Sequence, residues 1–315
     1  MSSNASVLVT GGAGFIGSHL TEALRAEGHK VRVVDNLATG HRHNLDHVEG
    51  YEWLEGDLAD FEVCKKAVEG VDCIFHLAAI PSVPRSVREP IESHVSGPTA
   101  TLNLLEAARR EGVQRFIFSA SSSAYGDTEE LPKHEGIMPH PLSPYAASKL
   151  AGEHYVEVYA TTMGLDGISL RYFNVFGPRQ DPSSPYSGVI SLFVNAMAEG
   201  RSPTILGNGH QTRDFTYVTN VVSANLLAMK SKEPLKGTVV NVGTAEQISL
   251  IELVAHINKV LGTAIDPTFG PSRAGDVLHS LADLTRVRKV LGYEPLVGFA
   301  DGLALTIHSM TPSLQ

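Results

Sequence analysis

The stretch Val7-Leu8-Val9-Thr10-Gly11-Gly12-Ala13-Gly14-Phe15-Ile16-Gly17 decides the fold. A short apolar, β-branched run stopped by glycine reads as a strand covered on both faces. The residues from Phe15 to Glu27 carry the spacing of an amphipathic helix. The glycines between them read as GxGxxG from Gly12 or GxxGxxG from Gly11. Glycine is needed there because the backbone turns sharply, approaches a pyrophosphate and lets the helix pack on the strand, while the helix N-terminus favours phosphate charge. Asp35 closes the next predicted strand eighteen residues beyond Gly17, near the spacing of about 20 for an acid that binds a ribose 2′-hydroxyl. A carboxylate at that place repels a 2′-phosphate, so the pattern points to NAD rather than NADP.

Working outward, further strands are expected at Val31 to Asp35, Tyr51 to Leu54, Cys73 to Leu77, Arg115 to Ser119 and Gly167 to Tyr172. Helical patterns between them cover Phe61 to Glu69, Ile91 to Glu111 and Pro144 to Met163. This alternation predicts an α/β fold, a Rossmann-type doubly wound parallel sheet. After Asn174 a Pro-rich loop from Gly177 to Pro185 reads as a domain crossing. The expected division is a dinucleotide-binding domain at 1–177, with a return near 215–245, and a smaller mixed α/β substrate domain at 178–214 and 246–315. In such folds ligands sit beyond the carboxyl ends of the strands, so the loops there are where chemistry is expected.

Composition narrows the function. The 315 residues suit roughly two domains at about 150 residues each. The net charge of −9, with no Lys/Arg-rich run, lacks the footprint of nucleic-acid or anionic-lipid binding, so neither partner is expected. No apolar run suggests a membrane span, and the start lacks a signal-peptide pattern. A soluble, cytoplasmic protein is expected. Cys64 and Cys73 are too few for a disulfide framework and have no zinc spacing. His41, His43 and His47 lie in the loop after Asp35 without a partner cysteine, so no metal is expected.

Tyr145 and Lys149 form Tyr-x-x-x-Lys at the start of a predicted helix, and four residues place both on one face. A positive charge about 4 Å away at an effective dielectric of 20 is worth about 4 kcal/mol, roughly three pKa units. On that arithmetic Lys149 alone nearly brings the phenol to working pH, and oxidised nicotinamide adds a second charge. Tyr145 is then a general base. Ser121, Ser122 and Ser123 end the fifth strand, where hydroxyls can bond a substrate alcohol and relay its proton. Asp57 and Leu58 follow the third strand, and Leu77, Ala78 and Ala79 the fourth. Both segments suit a cofactor wall.

On these residues the chain resembles the extended short-chain dehydrogenase/reductase superfamily, and within it the UDP-hexose and UDP-N-acetylhexosamine 4-epimerases. The resemblance runs over almost the full length. It rests on Thr10 to Leu20, His76 to Val87, Ser121 to Gly126, Tyr145 to Lys149, Arg171 to Gly177, Thr212 to Tyr217 and Arg273 to Asp283. It implies Ser121, Tyr145 and Lys149 as the catalytic triad. The implied NAD contacts include Gly11, Gly14, Phe15, Ile16 and Gly17, then Asp35, Asn36, Thr39 and Gly40, with Tyr172 by the nicotinamide. It implies Asn174, Arg213, Arg273 and Asp276 on the uridine diphosphate, with Thr204 in the strand bordering the uracil and Val189 nearby.

The resemblance also implies a UDP-sugar substrate, with Ser82 beside it and Pro81, Gly188 and Ser280 as walls of modest bulk that admit an N-acetyl group. The implied activity is an isomerase's: 4-epimerisation through a transient 4-keto sugar, with the diphosphate as pivot. Related dehydratases and decarboxylases carry an acid where this chain has Ser122 and Ser123, which favours plain epimerisation. The serine cluster also suits a uronate carboxylate. A UDP-glucuronate 4-epimerase or decarboxylase is therefore the alternative enzyme, and an NAD-binding regulator the non-enzymatic one. Relatives usually carry Asn where this chain has His94. A homodimer is implied through the helices at 91–111 and 144–163.

Overall fold

The computed structural model describes residues 4–181, 188–272 and 277–311. The strands of the main sheet are β1 (Ser6–Thr10), β2 (Lys30–Asp35), β3 (Glu52–Glu55), β4 (Cys73–His76), β5 (Arg115–Ser121), β6 (Asp166–Tyr172) and β7 (Thr238–Val242). They lie in the order β7-β6-β5-β4-β1-β2-β3, and every neighbouring pair is parallel. This is the expected doubly wound sheet. The order reverses between β1 and β4, and a crevice opens at their carboxyl ends.

Successive strand residues point to opposite faces, and two cores follow from that rule. Val7, Val9, Phe75 and Ile117 bury themselves with Leu20 and Val221 on one face. Leu8, Ile74, Phe116 and Phe118 do so with Cys64, Leu104 and Leu105 on the other. A third cluster, built on Phe176, Phe193, Phe215, Ile257 and Phe299, gathers the chain beyond residue 175.

The Phe15–Ala26, Phe61–Val68 and Pro144–Thr162 helices match expectation within a residue or two. The single helix expected from Ile91 to Glu111 is instead Pro90–His94, a π turn at Val95–Thr99 and Ala100–Glu111. Pro98 sits inside the π turn; it has no N–H to donate, and in a regular α-helix its ring would clash with the carbonyl one turn back. A helix at Val83–Arg88 was not anticipated. Its signal was present in Ser82 as N-cap and Pro84 in the first turn. Two-residue strand pairs join Val175–Phe176 to Thr216–Tyr217 and Thr212–Arg213 to Ile248–Ser249. Strands that short carry no periodicity to read. Among the described residues no helix is long and apolar enough to cross a membrane.

Candidate active site

A cleft of about 1650 Å³ runs along the carboxyl ends of the strands. At one end lies the glycine turn, whose spacing is enforced sterically. A Cβ on Gly17 would meet the Gly11 oxygen at 2.2 Å, and one on Gly11, at φ +67°, would meet the Ala78 nitrogen at 2.8 Å. Gly14 caps the first helix with no side-chain bond to its leading N–H groups, and Gly14, Phe15 and Ile16 line the cleft. Unclaimed amides at a helix N-terminus and a turn stripped of side chains fit a dinucleotide diphosphate.

Asp35 is almost buried at the β2 end of that cleft. Its oxygens accept the Ala13 N–H at 3.0 Å and the Leu37 N–H at 2.8 Å. Burial raises its pKa, and the bonds from Leu37, Ala13 and Asn36 oppose the rise. A carboxylate has about four acceptor sites, so holding the glycine loop leaves capacity for a ribose. Asn36 donates to Asp57 at 3.1 Å, and Thr39, Gly40, Leu58, Leu77, Ala78 and Ala79 complete this wall.

In the middle of the cleft, β5 delivers Ser121 and the Pro144–Thr162 helix delivers Tyr145 and Lys149. The Ser121 hydroxyl oxygen accepts the Ser123 hydroxyl at 2.8 Å and the Ser123 N–H at 3.2 Å. With both lone pairs taken, its own proton is free to face the Tyr145 phenol, whose pKa it draws down. Ser122 also lines the cleft.

The electrostatics correct the sequence expectation. Burial pushes the Tyr145 phenol above the ordinary tyrosine range, and the bond with Ser121 draws it only part of the way back. Lys149 does not offset that push. Its ammonium donates to the Ser119 carbonyl at 2.8 Å and lies 5.1 Å from the centre of the Phe118 ring. Burial lowers its own pKa to about 8, against the raising pull of Glu153. Tyr172 lines the cleft, but its hydroxyl accepts from Asn225 at 2.8 Å, and burial pushes its pKa up to about 12. It offers a surface rather than a proton.

The far end of the cleft gathers Pro81, Ser82, Asn174, Gly188, Arg213 and Ser280. Ser82 lines it with its hydroxyl oxygen already accepting the Arg85 N–H as a helix cap. Asn174 reaches the Asp214 carbonyl, and Arg213 donates to the carbonyls of Thr212 and Leu278. Val189 and Thr204 lie off the cleft wall. Val189 packs against the third core, and exposed Thr204 pairs with Thr268, hydroxyl to hydroxyl, at 3.0 Å. Arg273 and Asp276 fall outside the described residues. His94 is exposed, while His41 and His43 stack on each other and His41 and His47 meet Asp181 and Glu22.

Sequence reasoning missed several residues that shape the site. Arg179 lines the cleft and is held by Glu22 and His19 of the first helix. Asp214 is fully buried and accepts the N–H groups of Thr244, Ala245 and Ala282, which joins the β7 end to the Ser280 segment. Glu153 and Arg171 form a buried ion pair behind Lys149. Only long-range contacts reveal these roles.

A family model described as the NAD dependent epimerase/dehydratase family matches residues 7–243. The UDP-glucose 4-epimerase of Mycolicibacterium smegmatis is 40 % identical over 305 residues, covering 95 % of this chain and 96 % of that protein. A solved UDP-N-acetylglucosamine 4-epimerase from Methanobrevibacter ruminantium M1, in complex with UDP-N-acetylmuramic acid, has a TM-score of 0.93 at 38 % identity, covering 98 % of this chain and 99 % of that one. The UDP-glucose 4-epimerase of Thermotoga maritima, solved with UDP-glucose, has a TM-score of 0.93 at 39 % identity, covering 98 % and 100 %. With the glycine cradle, Asp35 and the Ser121, Tyr145 and Lys149 group in one cleft, and the family model spanning the sheet from β1 to the end of β7, the chain belongs to the NAD-dependent epimerase/dehydratase family.

Proposed function

We propose that the chain is an NAD-dependent 4-epimerase of UDP-sugars, acting on UDP-glucose and UDP-galactose and on their N-acetylated counterparts. The observation that carries the reading is the placement of Ser121, Tyr145 and Lys149 between the glycine cradle and the Arg213 and Ser280 end of one cleft. NAD held by the glycine cradle and Asp35 would accept the C4 hydride and give it back to the opposite face of the ring, and in its oxidised form would add a positive charge. Tyr145 removes the proton of the sugar 4-hydroxyl, with the Ser121 hydroxyl in the hydrogen-bond path. The 4-keto sugar turns over about its diphosphate, which Asn174 and Arg213 hold, and Tyr145 returns the proton to the same oxygen. Net redox is zero, so the cofactor stays with the protein through turnover. Gly188, Pro81 and Ser280 leave room for an acetamido group. Ser122 and Ser123 stand where elimination or decarboxylation needs an acid, which supports epimerisation alone.

A second lobe beyond residue 177 is supported by the third core, which gathers Phe193, Ile205, Ile257 and Phe299, while Leu284, Val287 and Tyr293 of the last segment pack into the first core with β7. A homodimer through the helices at 91–111 and 144–163 is supported by exposed apolar side chains on both, with Ile91 80 % and Val158 47 % exposed. A cytoplasmic setting is supported by Cys64 and Cys73, both buried and unpaired. The test is direct. Acid-denatured protein should release NAD at about one per chain, and the native protein should convert UDP-glucose and UDP-N-acetylglucosamine, with UDP-glucuronate in the panel for the alternative. Tyr145→Phe should keep the NAD and lose about 10²- to 10⁴-fold in turnover; a variant as fast as its parent sinks the reading.

A further inference from the structure

Arg171 meets Glu153 through two bonds, Nε to Oε1 at 2.9 Å and Nη2 to Oε2 at 2.6 Å, and the two side chains are 4 % and 3 % exposed. Charges buried this far from water give little stability beyond what apolar side chains of similar bulk would give. The placement of the pair supplies another use. Glu153 lies one turn beyond Lys149 on the helix that carries Tyr145, where residues four apart share a face. Arg171 precedes Tyr172 on β6, and its guanidinium lies 4.5 Å from the centre of the Tyr125 ring.

Tyr125 closes the turn that starts beside Ser121 and donates to Asn241 on β7 at 2.7 Å. Asn241 then donates to the carbonyls of Lys133 at 2.8 Å and Asp283 at 3.3 Å. Lys133 is in turn bridged to the Leu281–Asp283 segment that follows Ser280. One buried chain of contacts therefore runs from the helix of the base, past the serine turn, to the sugar wall.

We propose that Glu153 and Arg171 are positioning residues for the epimerase reaction: their pair sets the register of the Tyr145 and Lys149 helix against the Ser121 turn and Tyr172. The Glu153 carboxylate, one turn from Lys149, also favours its charged form. The proposal deepens the 4-epimerase reading and rests on it. The surroundings of Lys149 leave that electrostatic task to Glu153. On its own helix it faces Tyr145 and Glu153. From β4 it faces His76, whose pKa burial drives down to about 3, so the ring is uncharged. From β5 come the Ser119 carbonyl and the Phe118 ring, and the Arg171 cation on β6 is neutralised by Glu153 itself. Among the described residues, Glu153 is the one anion that raises the pKa of Lys149.

The test uses the NAD-loaded enzyme, Glu153→Gln, and the double variant Glu153→Met with Arg171→Met, which replaces the pair by apolar groups of comparable length. The double variant should stay folded by circular dichroism. Glu153→Gln leaves the Arg171 cation unbalanced and should move the alkaline limb of the kcat profile down by about one pH unit, a loss of about tenfold above that limb and much less near pH 6. The double variant, with both charges gone, should move it less and lose turnover at every pH. A Glu153→Gln variant with the parent's limb, or a folded double variant with the parent's rate at every pH, overturns the proposal. Collapse of the double variant overturns it equally, by making the pair a structural staple. If the parent itself fails to convert UDP-glucose and UDP-N-acetylglucosamine, the 4-epimerase reading has failed rather than this inference.

Discussion

The ammonium of Lys149 donates to the carbonyl oxygen of Ser119 at 2.8 Å, which fastens the cation of the Tyr-x-x-x-Lys pair to β5 two residues before Ser121. The lysine thus couples helix to strand as well as supplying charge.

That charge is held at a cost. Burial lowers the Lys149 pKa from 10.5 to about 8, so the folded state binds this proton less firmly than the unfolded chain does. The penalty is fully present below pH 8 and fades as pH rises toward 10.5, where the unfolded chain also loses the proton. Lys149→Met should therefore raise stability at neutral pH by about 2 kcal/mol, after allowing about 1 kcal/mol for the lost Ser119 bond. Urea unfolding measures it, and the variant should be inactive. In the parent, kcat should decline as pH rises through about 8, where the ammonium discharges. A less stable variant would contradict the burial argument.

The glycine cradle makes a steric prediction. Gly17→Ala puts a Cβ 2.2 Å from the Gly11 oxygen and should cost about 3 kcal/mol along with NAD retention. Gly298→Ala, with nothing within 4 Å of the added carbon, should change stability by less than about 0.5 kcal/mol. Denaturant midpoints and NAD content of the two variants, measured side by side, separate crowding from a general intolerance of side chains.

The wall assignment predicts selectivity. Ser280 lines the cleft and is nearly buried, so Ser280→Tyr removes room rather than a reactive group. Turnover of UDP-N-acetylglucosamine should fall at least about tenfold while UDP-glucose stays within about threefold, the range over which pocket bulk discriminates. Equal losses on both sugars would remove Ser280 from the wall.

The exposed apolar side chains Ile91 and Val158, one on each helix of the proposed contact, predict a dimer of identical chains. Light scattering at micromolar concentration should give twice the mass of the 33.8 kDa chain, and Ile91→Glu should give the monomer by burying a charge in the contact. A monomeric parent would refute the interface.

Local chemistry was legible in the residues themselves. The glycine turn, Asp35 and the Tyr145 and Lys149 spacing depend on neighbours in the chain, where strand period, helix pitch and steric demand are set by a few adjacent residues. Those features, with the alternation of apolar runs, were enough to specify the parallel sheet and its crevice. Contacts between distant residues decided the rest. Pro98 forced a π turn into a helix that periodicity alone reads as regular, Thr204 pairs with Thr268 on the neighbouring strand, and Glu153 found Arg171 eighteen positions further on. Desolvation set the proton affinities of Tyr145 and Lys149. It depends on everything packed around a group, so spacing along one helix could state that the two side chains share a face but not which proton each would hold.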